Sequence, residues 1–253
     1  MSKEIDKKRF YSILYLVCII LLINSLPFSL LIKDEIILFL INLVIKTFSV
    51  FYIFRYIKKE ELNNFKTENN KSNLKLLPLV LLCCSNFVVV LFQKAELTDI
   101  NYFNIFSGLI ISLGVAIIEE LLFRSQLLEE LLKTKNRLKS ILISSLTFGC
   151  VHLLNISSIG SIPMILAQVA YTFFLGLVLG FIYTHSKNIV YPIIFHFLFN
   201  FINDVLVTEM FNLKWDVLFF VVNIVIGIII SLYVILLLLL EKRGKNVTEH
   251  MDN

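Results

Sequence analysis

Residues 103–128 read FNIFSGLIISLGVAIIEELLFRSQLL. From Phe103 to Ile118 the stretch carries no charge, and about 20 mostly apolar residues in a helix are enough to cross the hydrocarbon of a bilayer. Glu119, Glu120 and Arg124 then interrupt the apolar run. The segment reads as a membrane-spanning helix that keeps ionisable groups inside.

Working outward from it, the same length rule predicts spans over about 10–32, 36–57, 76–92, 103–128, 139–154, 163–184, 190–207 and 216–240, the fifth being the shortest. With 58% hydrophobic residues in 253 and a mean hydropathy of +0.84, the chain carries more apolar surface than a soluble core of its size can hide. Eight Gly and four Pro exclude collagen-like and Pro-rich disordered classes, and no solenoid period is present. The expected architecture is all-α: a polytopic helical bundle of about eight spans forming a single membrane domain over 1–253. Residues 58–75, rich in Lys, Asn and Glu, are expected as a cytoplasmic loop and 241–253 as a cytoplasmic tail. Lys7-Lys8-Arg9 followed by an apolar run resembles a signal-peptide start, but the run to Ile32 is too long and lacks a small-residue cleavage site, so it reads as a retained span. Cys18, Cys83, Cys84 and Cys150 lie in apolar runs without metal-site or disulfide spacing and read as small buried hydrophobes.

The basic residues test this segmentation, because cytoplasmic segments of membrane proteins are enriched in Lys and Arg. Four fall in 1–9, six in 55–75, four in 133–139, Lys187 is single, and three lie in 242–245, whereas the opposite side holds only Lys33, Lys94 and Lys214. Both termini are therefore expected in the cytoplasm, in a multi-pass protein of a cell membrane, with a composition suggesting a bacterial source. The net charge of +4 marks orientation rather than a nucleic-acid partner.

Charged groups at mid-membrane cost a few kcal/mol each even on lenient insertion scales. Glu120 and Arg124, four apart, share a helix face and offset part of that cost as an ion pair. Glu119 points about 100° away and needs another partner or a purpose. Two more polar pairs sit at helical spacing: Phe148 with His152, and His196 with Asn200. Counted from the expected cytoplasmic helix ends at about 1.5 Å per residue, Glu119 and His152 both lie about 20 Å deep, and His196 and Asn200 roughly 12 and 18 Å deep. Four groups from three spans thus share one slab of the bilayer. Lys46 reaches an interface by snorkelling if the second span is displaced by about a turn, and Asp204, near the outer end of the seventh span, is expected to be interfacial. His185 and His250 are expected to be solvated, and Asn42, Asn86, Asn203 and Asn223 to bridge helices.

A carboxylate in a poorly hydrated pocket makes an effective general base for water. An imidazole can hold that water, and a second imidazole with an amide N–H can donate to an oxyanion. The inventory suits hydrolysis of a peptide bond by activated water. Ser125 lacks a paired base and Cys150 points away from the His152 face, which disfavours a serine or cysteine nucleophile. Zinc held by Glu119, His152 and His196 is the sharper rival, although the His-Glu-x-x-His segment is missing.

Glu119-Glu120-x-x-x-Arg124, then Phe148-x-x-x-His152, then His196-x-x-x-Asn200, in that order on three spans, resembles the CPBP family. These are the CAAX-processing and bacteriocin-processing or self-immunity intramembrane proteases, also called Abi, related to the Ras-converting prenyl endopeptidases. The resemblance covers about 103–203. It implies a catalytic set of Glu119 as the water-activating base, His152 as its partner, and His196 with Asn200 at the oxyanion. Glu120, Arg124 and Phe148 would support them. The family has often been described as metallo-type, but the resemblance favours a metal-independent glutamate mechanism with no cofactor. The expected partners are the lipid bilayer, a peptide or membrane-protein substrate such as a bacteriocin or signalling-peptide precursor or a CAAX-like chain, and a sensor kinase or peptide-export protein. The alternatives are a non-proteolytic self-immunity or scaffold protein using the same cavity, and a proton-coupled transporter, which the lack of internal repeats disfavours.

Overall fold

The computed structural model describes residues 7–57, 73–155, 161–211, 213 and 216–251. Among them seven helices are long and apolar enough to cross a membrane. In chain order the helices are α1 (Lys7–Asn24), α2 (Glu35–Tyr56), α3 (Ser85–Gln93), α4 (Tyr102–Leu132), α5 (Arg137–Asn155), α6 (Ile162–Ser186), α7 (Val190–Met210) and α8 (Val217–Met251). The chain is thus an all-α, multi-pass membrane bundle.

Polar residues at the expected starts fix several helix beginnings. The side chains of Asp34, Asn101 and Asn136 accept hydrogen bonds from backbone N–H groups of the first turns of α2, α4 and α5, satisfying donors that a helix start leaves orphaned. α3 and α6 end on Lys94 and Lys187, both in the left-handed region with φ of 49° and 56°.

One expected span is not a regular helix. Over 76–92 the chain forms a 3-10 helix, Asn73–Cys84, and only then α3. Pro78 lies inside the 3-10 stretch, where its missing N–H and its ring disfavour α-helical bonding. The apolar helix that remains, Pro78–Gln93, is shorter than the seven spans. Of the loop expected over 58–75, residues 58–72 lie outside the described residues and 73–75 open that 3-10 helix. Residues 241–251, expected as a cytoplasmic tail, continue α8 as helix through Met251. Cys83 is buried, but Cys18 and Cys150 lie on the outer surface of the bundle, so the reading of all four as buried holds for only part of the set.

α6 is the central helix, with every residue from Leu175 to Ser186 buried. It packs closely on α5 because three glycines remove the intervening side chains. A Cβ on Gly149 would stand 2.8 Å from the Val169 carbonyl oxygen, one on Gly176 3.0 Å from Ser145 Cβ, and one on Gly180 3.1 Å from an Ile141 methyl group. Small residues at such crossings let backbones approach and replace the hydrophobic drive that lipid cannot supply. A second tie is made of amides. Asn86 donates from its side chain to the Asn203 carbonyl at 3.0 Å and from its backbone to Asn203 Oδ1 at 3.1 Å, while Asn223 donates to Asn86 Oδ1 at 2.9 Å. This network joins α3, α7 and α8. Asn42, by contrast, bonds within its own helix to the Leu38 carbonyl.

Candidate active site

The middle of α4 departs from α-helical bonding. Leu121–Leu128, directly after Glu119 and Glu120, is a π-helical segment, and so is Asn200–Leu206 in α7, which begins at the last residue of the His196-x-x-x-Asn200 motif. Such segments are rare and concentrate at functional sites. Between them the two helices bring the polar groups of the first and third motifs together.

Glu120 and Arg124 are wholly buried, and Arg124 Nε lies 3.1 Å from Glu120 Oε2. Arg124 Nη2 also donates to the Gly176 carbonyl at 3.2 Å, and its guanidinium carbon stands 4.5 Å from the centre of the Phe148 ring. Buried charge is tolerable only when paired and hydrogen-bonded, and here the pair is additionally capped by an aromatic face. His196 stands between the two glutamates. Its Nδ1 donates to Glu120 Oε1 at 2.8 Å, and its Nε2 lies 3.7 Å from Glu119 Oε2.

His152 is placed by the end of its own helix. α5 tightens to 3-10 geometry over His152–Asn155, and His152 Nδ1 lies 2.9 Å from the Phe148 carbonyl oxygen. A carbonyl only accepts, so Nδ1 is the donor and the neutral ring keeps its acceptor lone pair on Nε2. Phe148 is the common neighbour, making edge contacts with His152 at 5.2 Å and His196 at 5.8 Å between ring centres.

These residues surround one cavity of about 240 Å³, lined by Glu119, Phe148, His152, His196 and Asn200 among others. Glu120 and Arg124 do not line it and form the wall behind it. Among the described residues, neither the Glu119 carboxylate nor the Asn200 carboxamide has a hydrogen-bond partner, whereas His152 and His196, which also face the cavity, are each held through Nδ1. No group of three His, Cys, Asp or Glu side chains is arranged to hold a metal ion among the described residues; the Nδ1 atoms of both histidines are already engaged by protein.

Three sequence expectations are corrected. Lys46 does not snorkel; it is 7% exposed and lines the cavity. Asp204 also lines the cavity, one turn beyond Asn200, rather than lying at an interface. His185 is not a solvated loop residue. It is buried in the last turn of α6, stacks on Phe181 and holds Glu241 Oε1 at 2.9 Å, and Arg137 pairs with the same carboxylate. His250 lies in the far part of α8. Gln168 and Tyr171 of α6 line the cavity too; Gln168, a lone amide in an apolar span, is the one that the depth argument applied to His152 could have found.

Fold and cavity together define a multi-pass membrane protein with a carboxylate–imidazole centre inside its helical bundle. Residues 101–202 match the family described as Rce1-like, type II CAAX prenyl endopeptidase Rce1-like. That segment runs from α4 into α7 and contains Glu119, Glu120, Arg124, Phe148, His152, His196 and Asn200. This part of the chain is accordingly similar to the CAAX-protease family that its three motifs resemble. No curated protein matches the chain.

Proposed function

We propose that the chain is a glutamate-dependent intramembrane endopeptidase. The observation that carries this reading is the division of labour at the cavity: Glu119, His152, His196 and Asn200 line it, and Glu120 and Arg124 lock His196 from behind. Glu119 takes a proton from water, and the Nε2 lone pair of His152 accepts the other water hydrogen, orienting the oxygen toward the scissile carbonyl. The oxygen adds to the carbonyl carbon, and the resulting oxyanion accepts hydrogen bonds from the Asn200 amide N–H and His196 Nε2–H. Glu120 on Nδ1 gives an imidazole protonated on both nitrogens an acceptor on one side while the other faces the oxyanion. Collapse breaks the C–N bond, the proton held by Glu119 passes to the departing nitrogen, and a carboxylic acid and an amine are released, the acid then giving up its proton to the amine or to water.

The substrate we propose is a membrane-associated or hydrophobic peptide, such as a bacteriocin or signalling-peptide precursor, a membrane-protein segment or a CAAX-like chain end. The protein is proposed to sit in a bacterial cell membrane with both termini cytoplasmic. Removal of metal by exhaustive chelation should leave cleavage intact; loss of cleavage restored by zinc would contradict the mechanism. Comparing membrane peptides from cells that make the wild-type or the Glu119→Gln protein tests activity and finds the substrate in one measurement.

A further inference from the structure

The cavity contains a cation that comes from outside the segment matching the family. Lys46 is the only charged residue between Glu35 and Arg55 of α2, and it is 7% exposed. Its stem crosses α4 at Gly114, where a Cβ would stand 3.1 Å from Lys46 Cδ; the missing side chain leaves the groove that the lysine fills. Lys46 lines the same cavity as Glu119, His196 and Asn200. Among the described residues no carboxylate lies within ion-pair distance of the Lys46 ammonium and no acceptor within hydrogen-bonding distance.

A lone ammonium in a membrane span is costly and normally reaches for an interface or a partner. Lys46 does neither. Methionine would fill the same groove without a charge, so packing does not explain the lysine. An unpaired cation aimed into a binding cavity fits a group whose counter-ion arrives with the ligand.

We propose that Lys46 is a substrate-anchoring residue whose ammonium receives a carboxylate of the bound peptide. This rests on the reading of the cavity as a peptide-hydrolysing site, and it adds a specificity element supplied by α2 rather than by the matched core. The carboxylate is either the C-terminus of the chain or an Asp or Glu side chain beside the scissile bond; both offer Lys46 the same oxygens. At about 240 Å³ the cavity is smaller than the roughly 300–1,000 Å³ of typical ligand pockets, which suits a short stretch of extended peptide.

The test separates anchoring from cleavage. The Glu119→Gln protein in nanodiscs is titrated with a fluorescent apolar decapeptide in three forms: a free C-terminal acid, a C-terminal amide, and the amide with one internal Glu. At least one acid-bearing form should bind about 10- to 100-fold more tightly than the plain amide, the worth of a charge-assisted hydrogen bond, and the form that does so identifies the source of the carboxylate. Adding Lys46→Met should erase the preference and Lys46→Arg should keep it. Equal binding of all three forms, or an unchanged preference with Lys46→Met, overturns the proposal. Cleavage of the same probes by protein retaining Glu119 tests the hydrolytic reading on its own. There, Lys46→Met should raise KM for the acid form with little change in kcat; a fall in kcat alone would assign Lys46 to Glu119 rather than to substrate.

Discussion

Glu119 and Glu120 are adjacent in sequence and opposite in circumstance. Glu120 is sealed between Arg124 and His196, whereas Glu119 faces the cavity without a hydrogen-bond partner among the described residues. Their substitutions should therefore separate. Glu120→Gln leaves Arg124 without its carboxylate in a site closed to solvent, and breaking a buried pair costs about 3–5 kcal/mol. A marked fall in the midpoint of thermal unfolding is expected, read by tryptophan fluorescence in detergent. Glu119→Gln exchanges one cavity-facing group for an isostere and should keep the wild-type midpoint within the roughly 0.5 kcal/mol typical of substitutions away from packed or paired features. Equal destabilisation by both would contradict the distinction. The pairing of Glu120 with Arg124 was legible in the sequence because i and i+4 share a helix face. The bond from His196 to Glu120 was not, because 76 positions separate the two residues and periodicity within one helix says nothing about which face of another helix it meets.

The α5 and α6 pair carries the second motif and the cavity wall, and its glycine contacts set how closely they approach. Gly176→Leu would drive a side chain into Ser145 and Phe148; overpacking of this kind costs about 1–3 kcal/mol or more. It also displaces Phe148, whose backbone carbonyl and ring position His152. The expected result is a lower unfolding midpoint together with reduced cleavage, while Gly108→Ala in α4, whose Cβ would press on the Val205 side chain of α7 at 2.5 Å, should spare the His152 side of the site even where it lowers the midpoint. Full activity and stability in Gly176→Leu would remove this account of the interface. Helix positions were readable from apolar runs. The two π segments were not, because they leave little periodic signature, and the 3-10 stretch was not, because the apolar run over 76–92 hides the effect of Pro78. Lys46 was misread for a similar reason: snorkelling is the default for a lone lysine in a span, and only the contact with Gly114 reveals a groove leading inward.

For the whole molecule, the cavity is lined near its ends by Asn24 and Ser25 at the close of α1, Asn155 at the close of α5 and Asp204 toward the close of α7. These positions all lie toward the end of the bundle opposite the basic connection at 133–139. With both termini cytoplasmic, as the distribution of Lys and Arg leads us to propose, these lining residues lie toward the side away from the cytoplasm. A single cysteine at Ser25 or Asn155, in protein whose four native cysteines are replaced, should be labelled in intact cells by a membrane-impermeant thiol reagent, and one at Lys135 only after lysis. The reverse pattern would invert the orientation. The order of spans and the polarity of the core were legible in the sequence, but the cavity mouth was not, since it depends on which helix ends meet. The central claim is that Glu119 activates water for peptide-bond hydrolysis within the membrane. Its most direct test is peptidomics of membranes from cells producing the wild-type protein or a folded, equally abundant Glu119→Gln protein. Peptides cut at one type of site should appear with the wild type and vanish with Glu119→Gln; the same products at the same level from both would contradict the claim.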